Sequence, residues 1–472
     1  MKNGDEYFDD EEFREMLDDY ERTVKSGQPV FMDADDLADI ADYYQQEGRY
    51  DDAKQALDRA LELQPDSVVA LNYQIHNALD QGDIVAAEEY LDRIIDHSLP
   101  EYAYNRAEIW IAQDEVEKAD EYLRQEFREC PADECQDFVL DVVNLYTDYG
   151  YSEKAMEWMM RAKQENTDDF KELMGRTLFG LGKYDDSERI FNELIDRDPY
   201  QKRYWNALAS TQYMKEDYSA SVTSSEYAIA IDPDDAESLL AKANGLYRLG
   251  NYEEALDFYR RYSEKQPDDE FGLLNQGTCL INLGHYEEAV ERLLEAVDAA
   301  PDDSPYFVEI YQELGFAYGE LKKPETALYY LDQTDSLECD HVDMLVVRGH
   351  ILLANGKIKE AEEMFGKAVK LSENNSHTLV RIIVSLYDNH YVEAAYTMFL
   401  NYFQHFGDDC DEGYGYMALC CYDLKRDAEF LDYLKICCDR NPAEARLALS
   451  QLFPEGMKPE AYYDYIVKEM KK

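Results

Sequence analysis

Basic residues are scarce. Lys and Arg number 46 against 103 Asp and Glu, which gives a formal net charge of −57 at pH 7. So acidic a surface repels phosphate backbones and anionic lipid, and neither nucleic acid nor a membrane is expected as a partner. It favours basic partners, whose association salt would weaken. Long apolar runs are missing too, which excludes a membrane-spanning helix. The N-terminal stretch MKNGDEYFDDEEF holds no apolar core of a signal peptide. Cysteine is sparse: nine residues, irregularly spaced and odd in number, cannot all pair. A reducing cytoplasm is the expected compartment.

Motifs that carry chemistry are lacking as well. Gly182–Lys183 has no upstream glycine of a phosphate-binding loop, and Tyr184 stands where Ser or Thr is needed. Asp409–Cys410–Asp411–Glu412–Gly413 opens like a calcium loop, but its third carboxylate and terminal glutamate fail. Cys420–Cys421 and Cys437–Cys438 read as packed, reduced thiols; a metal site is the alternative, without the usual short ligand pairs. No enzymatic activity and no cofactor are expected.

What the chain does have is apolar residues, 45% of the total, and 40 tyrosines, and these argue against the disorder its charge alone would suggest. It also has a repeat. Residues 236–269 read AESLLAKANGLYRLGNYEEALDFYRRYSEKQPDD, and residues 270–303 read EFGLLNQGTCLINLGHYEEAVERLLEAVDAAPDD. Leu239 matches Leu273, Gly250 matches Gly284, Tyr252 matches Tyr286, Ala255 matches Ala289 and Pro267 matches Pro301. A fixed period of 34 residues means stacked helical hairpins. Leu239, Ala243 and Leu246 give the first half a helical apolar stripe, which Gly250 closes by taking a left-handed conformation. Ala255, Tyr259 and Tyr262 mark a second helix that stops before Pro267.

This pattern resembles the tetratricopeptide-repeat (TPR) family. Its signature is a small residue at repeat position 8 (Ala243, Gly277), Gly at 15 (Gly250, Gly284), an aromatic at 17 (Tyr252, Tyr286), Ala at 20 and Pro at 32. Ala41, Gly48, Tyr50 and Ala53 start the series, and Gly175, Gly182 and Tyr184, then Gly349, Gly356 and Ala361, continue it. The resemblance implies an all-α, right-handed superhelical solenoid of helix-turn-helix repeats. Residues 1–33 read as an acidic segment with a capping helix, 34–444 as an array of ~12 repeats and 445–472 as C-terminal capping helices. The N-terminal stripe is Phe13, Leu17, Tyr20 and Val24, broken by Gly27 and Pro29; the C-terminal stripes are Ala445, Ala448, Leu449 and Leu452, then Tyr462, Ile466 and Met470. Either end could instead dock on a partner or a second copy. Ile75 replaces the small residue of repeat 2, so that hairpin is expected to splay. The insertion Ser304–Phe307 is expected to bend the stack or lengthen a helix before repeat 9.

By the same resemblance, positions 2, 5, 9, 12 and 13 of each first helix line a concave groove. In repeats 1–4 these are acidic, among them Asp35, Asp42, Glu101, Glu108, Asp137 and Asp148. In the middle stand Arg176, Arg203, Asn206, Tyr213, Asn244, Tyr247 and Arg248, with Asn275 one position off the set. Asn can bond a peptide backbone both ways, Tyr gives contact area and Arg grips a carboxylate. Further on, Phe271, Leu274, Phe316 and Tyr387 make the groove apolar. No repeat supplies the lysine and asparagine pair of the clamp that grips chaperone tails. The expected function is a non-catalytic scaffold or adaptor that binds a protein or peptide partner in the groove. A basic partner is the one charge favours. An acidic holdase for basic clients and a peptide-sensing regulator are the alternatives.

Overall fold

The computed structural model describes residues 8, 11–26, 30, 32–46, 49–131, 134–267, 269–407, 411–454 and 457–469. The breakers Gly27 and Pro29, the repeat glycine Gly48, the Asp409–Cys410 pair and Met470 lie outside the described residues. Every regular element among the described residues is helical, and the helices come as consecutive pairs. The chain forms two compact units, Met1–Gly245 and Leu246–Lys472, and the division falls inside the first helix of repeat 7, Ala236–Arg248.

In the first unit, the first helices of repeats 1–6 are Ala34–Gln46, Val68–Asp80, Pro100–Ala112, Cys135–Asp148, Asp168–Gly180 and Lys202–Met214. Each is followed by a second helix, such as Tyr50–Leu63 in repeat 1 or Val116–Glu129 in repeat 3. First helices of successive repeats touch, so they form one face of the unit. Ahead of them, the helix Glu11–Ser26 buries Phe13, Leu17 and Tyr20 in one core with Leu37, Ala41 and Tyr44 of repeat 1.

The second unit repeats the scheme. Its first helices are Glu270–Asn282, Phe307–Glu320, His341–Ala354, Ser376–Asp388 and Tyr414–Asp423. The insertion before repeat 9 is tied down: Ser304 is buried and its hydroxyl donates to Glu270 at 2.7 Å. The helix it precedes has 14 residues, where that of repeat 8 has 13. At the C-terminal end, Pro442–Leu449 buries Ala445 and Leu449, and Phe453 stacks on Tyr462 at 3.9 Å.

Two local devices recur among the described hairpins. The turn needs one residue at positive φ, and Gly82, Gly150, Gly182, Gly250, Gly284 and Gly356 supply it where the repeat carries glycine. Position 8 needs a small side chain because the residue 16 places later leans on it: Gly175 meets Phe191, Gly277 meets Leu293, Gly315 meets Leu331 and Gly349 meets Phe365. Repeats 2 and 4 carry Ile75 and Val143 there, and their second helices are only 8 residues long. Ile75 and Leu91 are nevertheless fully buried in one core. The misfit expected to splay repeat 2 thus accompanies an early helix end rather than an opened core. Repeat 11, with Ile383 at the same position, keeps a second helix of 15 residues, so a branched side chain alone does not shorten it.

Candidate functional site

The face formed by the first helices carries a ladder of polar contacts, each joining one repeat to the next. In the first unit, Tyr73 donates to Asp42 at 2.8 Å and Asn105 to Asn72 at 2.5 Å. His76 meets Glu108 at 3.1 Å, and Tyr149 donates to the other oxygen of Glu108 at 3.2 Å. Arg176 then bridges Asn144 at 2.9 Å and Asp148 at 2.6 Å. Arg203 pairs with Glu172 at 3.3 Å. Asn206 donates to Asp235 at 2.9 Å and Glu237 at 3.1 Å while accepting from Ser238 at 2.7 Å. The chemistry follows from side-chain reach: first helices of successive repeats touch, and their side chains meet from one repeat to the next. An acid on one finds a hydroxyl, amide or cation on the next.

In the second unit the rungs are fewer. Asn282 donates to Tyr247 at 3.5 Å, His350 meets Ser385 at 3.0 Å and Asn389 at 3.3 Å, and Tyr387 donates to Asp423 at 2.9 Å. Aromatic contacts accompany them. Phe271 lies 5.2 Å from Tyr306, and Tyr387 lies 6.3 Å from Tyr416.

These contacts change how the expected groove residues read. Arg176 and Arg203 were expected to be open to a ligand's carboxylate; both instead hold carboxylates of the chain itself. Asn206 and Leu274 are buried, at 2% and 1% exposure, and Leu274 sits in a core with Leu293 and Leu314. Neither offers a ligand any surface, because the next repeat lies over them. Asn275 spends its amide on the Phe271 carbonyl of its own helix at 2.8 Å. Tyr213 rests edge-on against Tyr218 at 5.3 Å. Asn244, Tyr247, Phe271, Phe316 and Tyr387 are half-buried, and Arg248 is exposed.

Of repeat position 6, sequence reasoning took only Asn275. Tyr73, Asp141 and Glu313 all stand there, one residue beyond the set taken to line the groove, and Asn275 shares the register. Burial pushes the Asp141 and Glu172 carboxyls above their ordinary range; Tyr104, which hydrogen-bonds Asp141, and Arg203 beside Glu172 pull the other way. Burial and the neighbouring Glu309 push Glu313 up to about 7.

Cys420, Cys421, Cys437 and Cys438 are buried in the core of repeat 12 with Phe430 and Leu434, and burial pushes Cys420 and Cys421 up to about 12. Such thiols are poor ligands and poor nucleophiles. Among the described residues, no three His, Cys, Asp or Glu side chains are grouped to hold a metal, and no helix is long and apolar enough to cross a membrane.

Two family models described as tetratricopeptide repeat match the chain, one over residues 38–95, 73–134 and 173–236 and the other over 342–375. The chain is a tetratricopeptide-repeat protein. A third model, described as anaphase-promoting complex, cyclosome, subunit 3, matches residues 214–296 of this TPR protein. Solved structures similar to it include yeast Tom70, at 13% identity and a TM-score of 0.42, covering 93% of this chain and 99% of that one. A tetratricopeptide repeat protein from Parabacteroides merdae is 12% identical with a TM-score of 0.41, over 57% of this chain and 100% of that one. MamA from Desulfovibrio magneticus, residues 41 to the end, is 17% identical with a TM-score of 0.35, over 37% of this chain and 96% of that one. No curated protein matches the chain. A TPR array is a protein-interaction scaffold, and this chain is built as one.

Proposed function

We propose that this TPR protein is a non-catalytic scaffold that holds a basic protein segment against its first-helix face. The observation that carries this reading is the fate of the cations there. Arg176 and Arg203 are each paired with an acid of the chain, while Glu101, Asp137 and Asp169 stay exposed on the first helices of repeats 3, 4 and 5. The face therefore presents surplus negative charge beside hydroxyls and amides, and a Lys- or Arg-rich segment complements both. A reducing, cytoplasmic setting suits a chain whose described cysteines are all free thiols.

A fluorescent lysine-rich peptide is expected to bind the full chain and to weaken roughly tenfold or more as salt rises from about 50 to about 500 mM. A glutamate-rich peptide of equal length should not bind. Salt-independent binding, or preference for the acidic peptide, would contradict the reading.

A further inference from the structure

The described cysteines differ in what they can reach. Cys279, Cys420, Cys421, Cys437 and Cys438 are buried, and burial pushes their thiols up, away from reaction. Cys339 is partly buried and contacts the Thr334 carbonyl and the His341 ring, not a thiol. Cys130 and Cys135 are partly buried too, and they stand at the two ends of the connection between repeats 3 and 4. Cys130 follows the second helix of repeat 3, Val116–Glu129, and Cys135 opens the first helix of repeat 4, Cys135–Asp148. The backbone N–H groups of Glu134 and Cys135 both donate to the Pro131 carbonyl, at 3.0 and 3.1 Å, which turns the chain back on itself. That turn brings the two thiols together. The Cys135 sulfur lies 3.2 Å from the Pro131 carbonyl oxygen and 3.6 Å from that of Cys130. The Cys130 sulfur lies 3.6 Å from the same Pro131 oxygen. Two thiols that border one oxygen can meet by side-chain rotation.

We propose that Cys130 and Cys135 form a redox modification site, at which a peroxide joins them in a disulfide that staples repeat 3 to repeat 4 and a thiol reductant reopens it. The inference goes beyond the basic-partner reading and does not depend on it. One thiolate attacks a peroxide oxygen; the O–O bond breaks, a sulfenic acid forms, and the departing hydroxide takes up the proton that thiol gave. The other thiolate attacks the sulfenyl sulfur; the S–S bond forms, the S–O bond breaks, and hydroxide leaves to take up the second thiol proton. The two sulfurs together lose two electrons, the peroxide oxygens gain them, and the products are one disulfide and two waters.

The staple has a path onward. Gln136, next to Cys135, accepts from the N–H groups of Lys163 at 2.8 Å and Gln164 at 3.2 Å, and donates to the Gln164 carbonyl at 3.2 Å. Fixing the first turn of this helix therefore also fixes what holds the connection between repeats 4 and 5.

The test exposes the reduced full chain to a small excess of hydrogen peroxide, alkylates it with iodoacetamide and digests it without reductant. Cleavage after Glu134 separates the two cysteines, so only a disulfide keeps their peptides joined. Most of Cys130 and Cys135 should appear in one linked species, two hydrogens lighter than the separate peptides, which dithiothreitol releases. The buried cysteines should stay unalkylated until the chain is denatured, which shows that the fold survives. Cys135→Ser should give no linked species, and its Cys130 should proceed to the sulfinic acid instead. In the oxidised parent, the amides of Lys163 and Gln164 should exchange several-fold more slowly than in the reduced one. Cys130 and Cys135 recovered on separate peptides, or a disulfide that joins two chains, would overturn the site. Equal exchange in the two forms would overturn the staple.

Discussion

Replacing Trp158 with alanine should cost repeats 3–5 roughly 3–5 kcal/mol of local stability. Trp158 is fully buried in the last turn of the second helix of repeat 4, where it packs 5.7 Å from Phe127 and 6.2 Å from Phe138. Its indole N–H donates to Asp120 of repeat 3 at 2.8 Å. Asp120 is itself buried, which pushes its carboxyl up, but hydrogen bonds from Arg124 and Trp158 and the charge of Lys154 hold it below its ordinary range. The alanine variant removes both the ring and the donor, leaving a cavity and a less satisfied carboxylate. Trp158→Phe keeps most of the volume and loses only the donor, so it should cost about 1 kcal/mol, because Arg124 and Lys154 still reach Asp120. An array of this kind opens locally, so amide hydrogen exchange is the appropriate readout. Protection should fall in repeats 3–5 and hold in repeat 1. Unchanged protection in repeat 4 would show that Trp158 is not the interlock between these repeats.

Gly349→Val is expected to destabilise repeat 10 by about 1–3 kcal/mol, the usual cost of overpacking a core. A Cβ built at Gly349 collides with the Phe365 ring, and in three other repeats the same register puts Phe191, Leu293 and Leu331 against glycine. The effect should therefore shrink when Phe365 is cut back. Gly349→Val combined with Phe365→Ala should be less destabilised than the sum of the two single changes, because the branched side chain then has room. Urea melts followed by exchange in repeat 10 would measure all three variants. Strict additivity would mean that the close approach at position 8 does not set the hairpin geometry.

The contrast between these residues shows what a single sequence can carry. Gly349 and its counterparts recur at a fixed spacing, so the demand for a small side chain is written in the period itself. The positive-φ turn is equally legible at Gly250 and Gly284, yet Asp114, Glu216, Lys322, His390 and Lys425 fill the same turn with φ between 58° and 66°, where no glycine announces it. The first-helix face was legible in part. The period placed Arg176 and Arg203 on the first helices correctly but could not say that Asp148 and Glu172 claim them, since those acids come from the preceding repeat. Asn206 and Leu274 were misjudged for the same reason. Whether a polar or apolar residue at such a position is open depends on how the next repeat lies over it. Glu313 stood one residue outside the assumed set, and only its packed surroundings distinguish it from the many other acids of the chain.

Under the proposed function, surplus acid on the first-helix face, rather than the total charge of the chain, selects the partner. Two triple variants of equal charge separate these. One neutralises Glu101, Asp137 and Asp169, all exposed on first helices; the other neutralises Glu121, Glu153 and Asp196, all exposed on second helices. Titrated with the same lysine-rich peptide, the first-helix variant should lose most of its affinity and the second-helix variant should match the parent. Equal weakening of both would contradict the account, because bulk charge would then be enough.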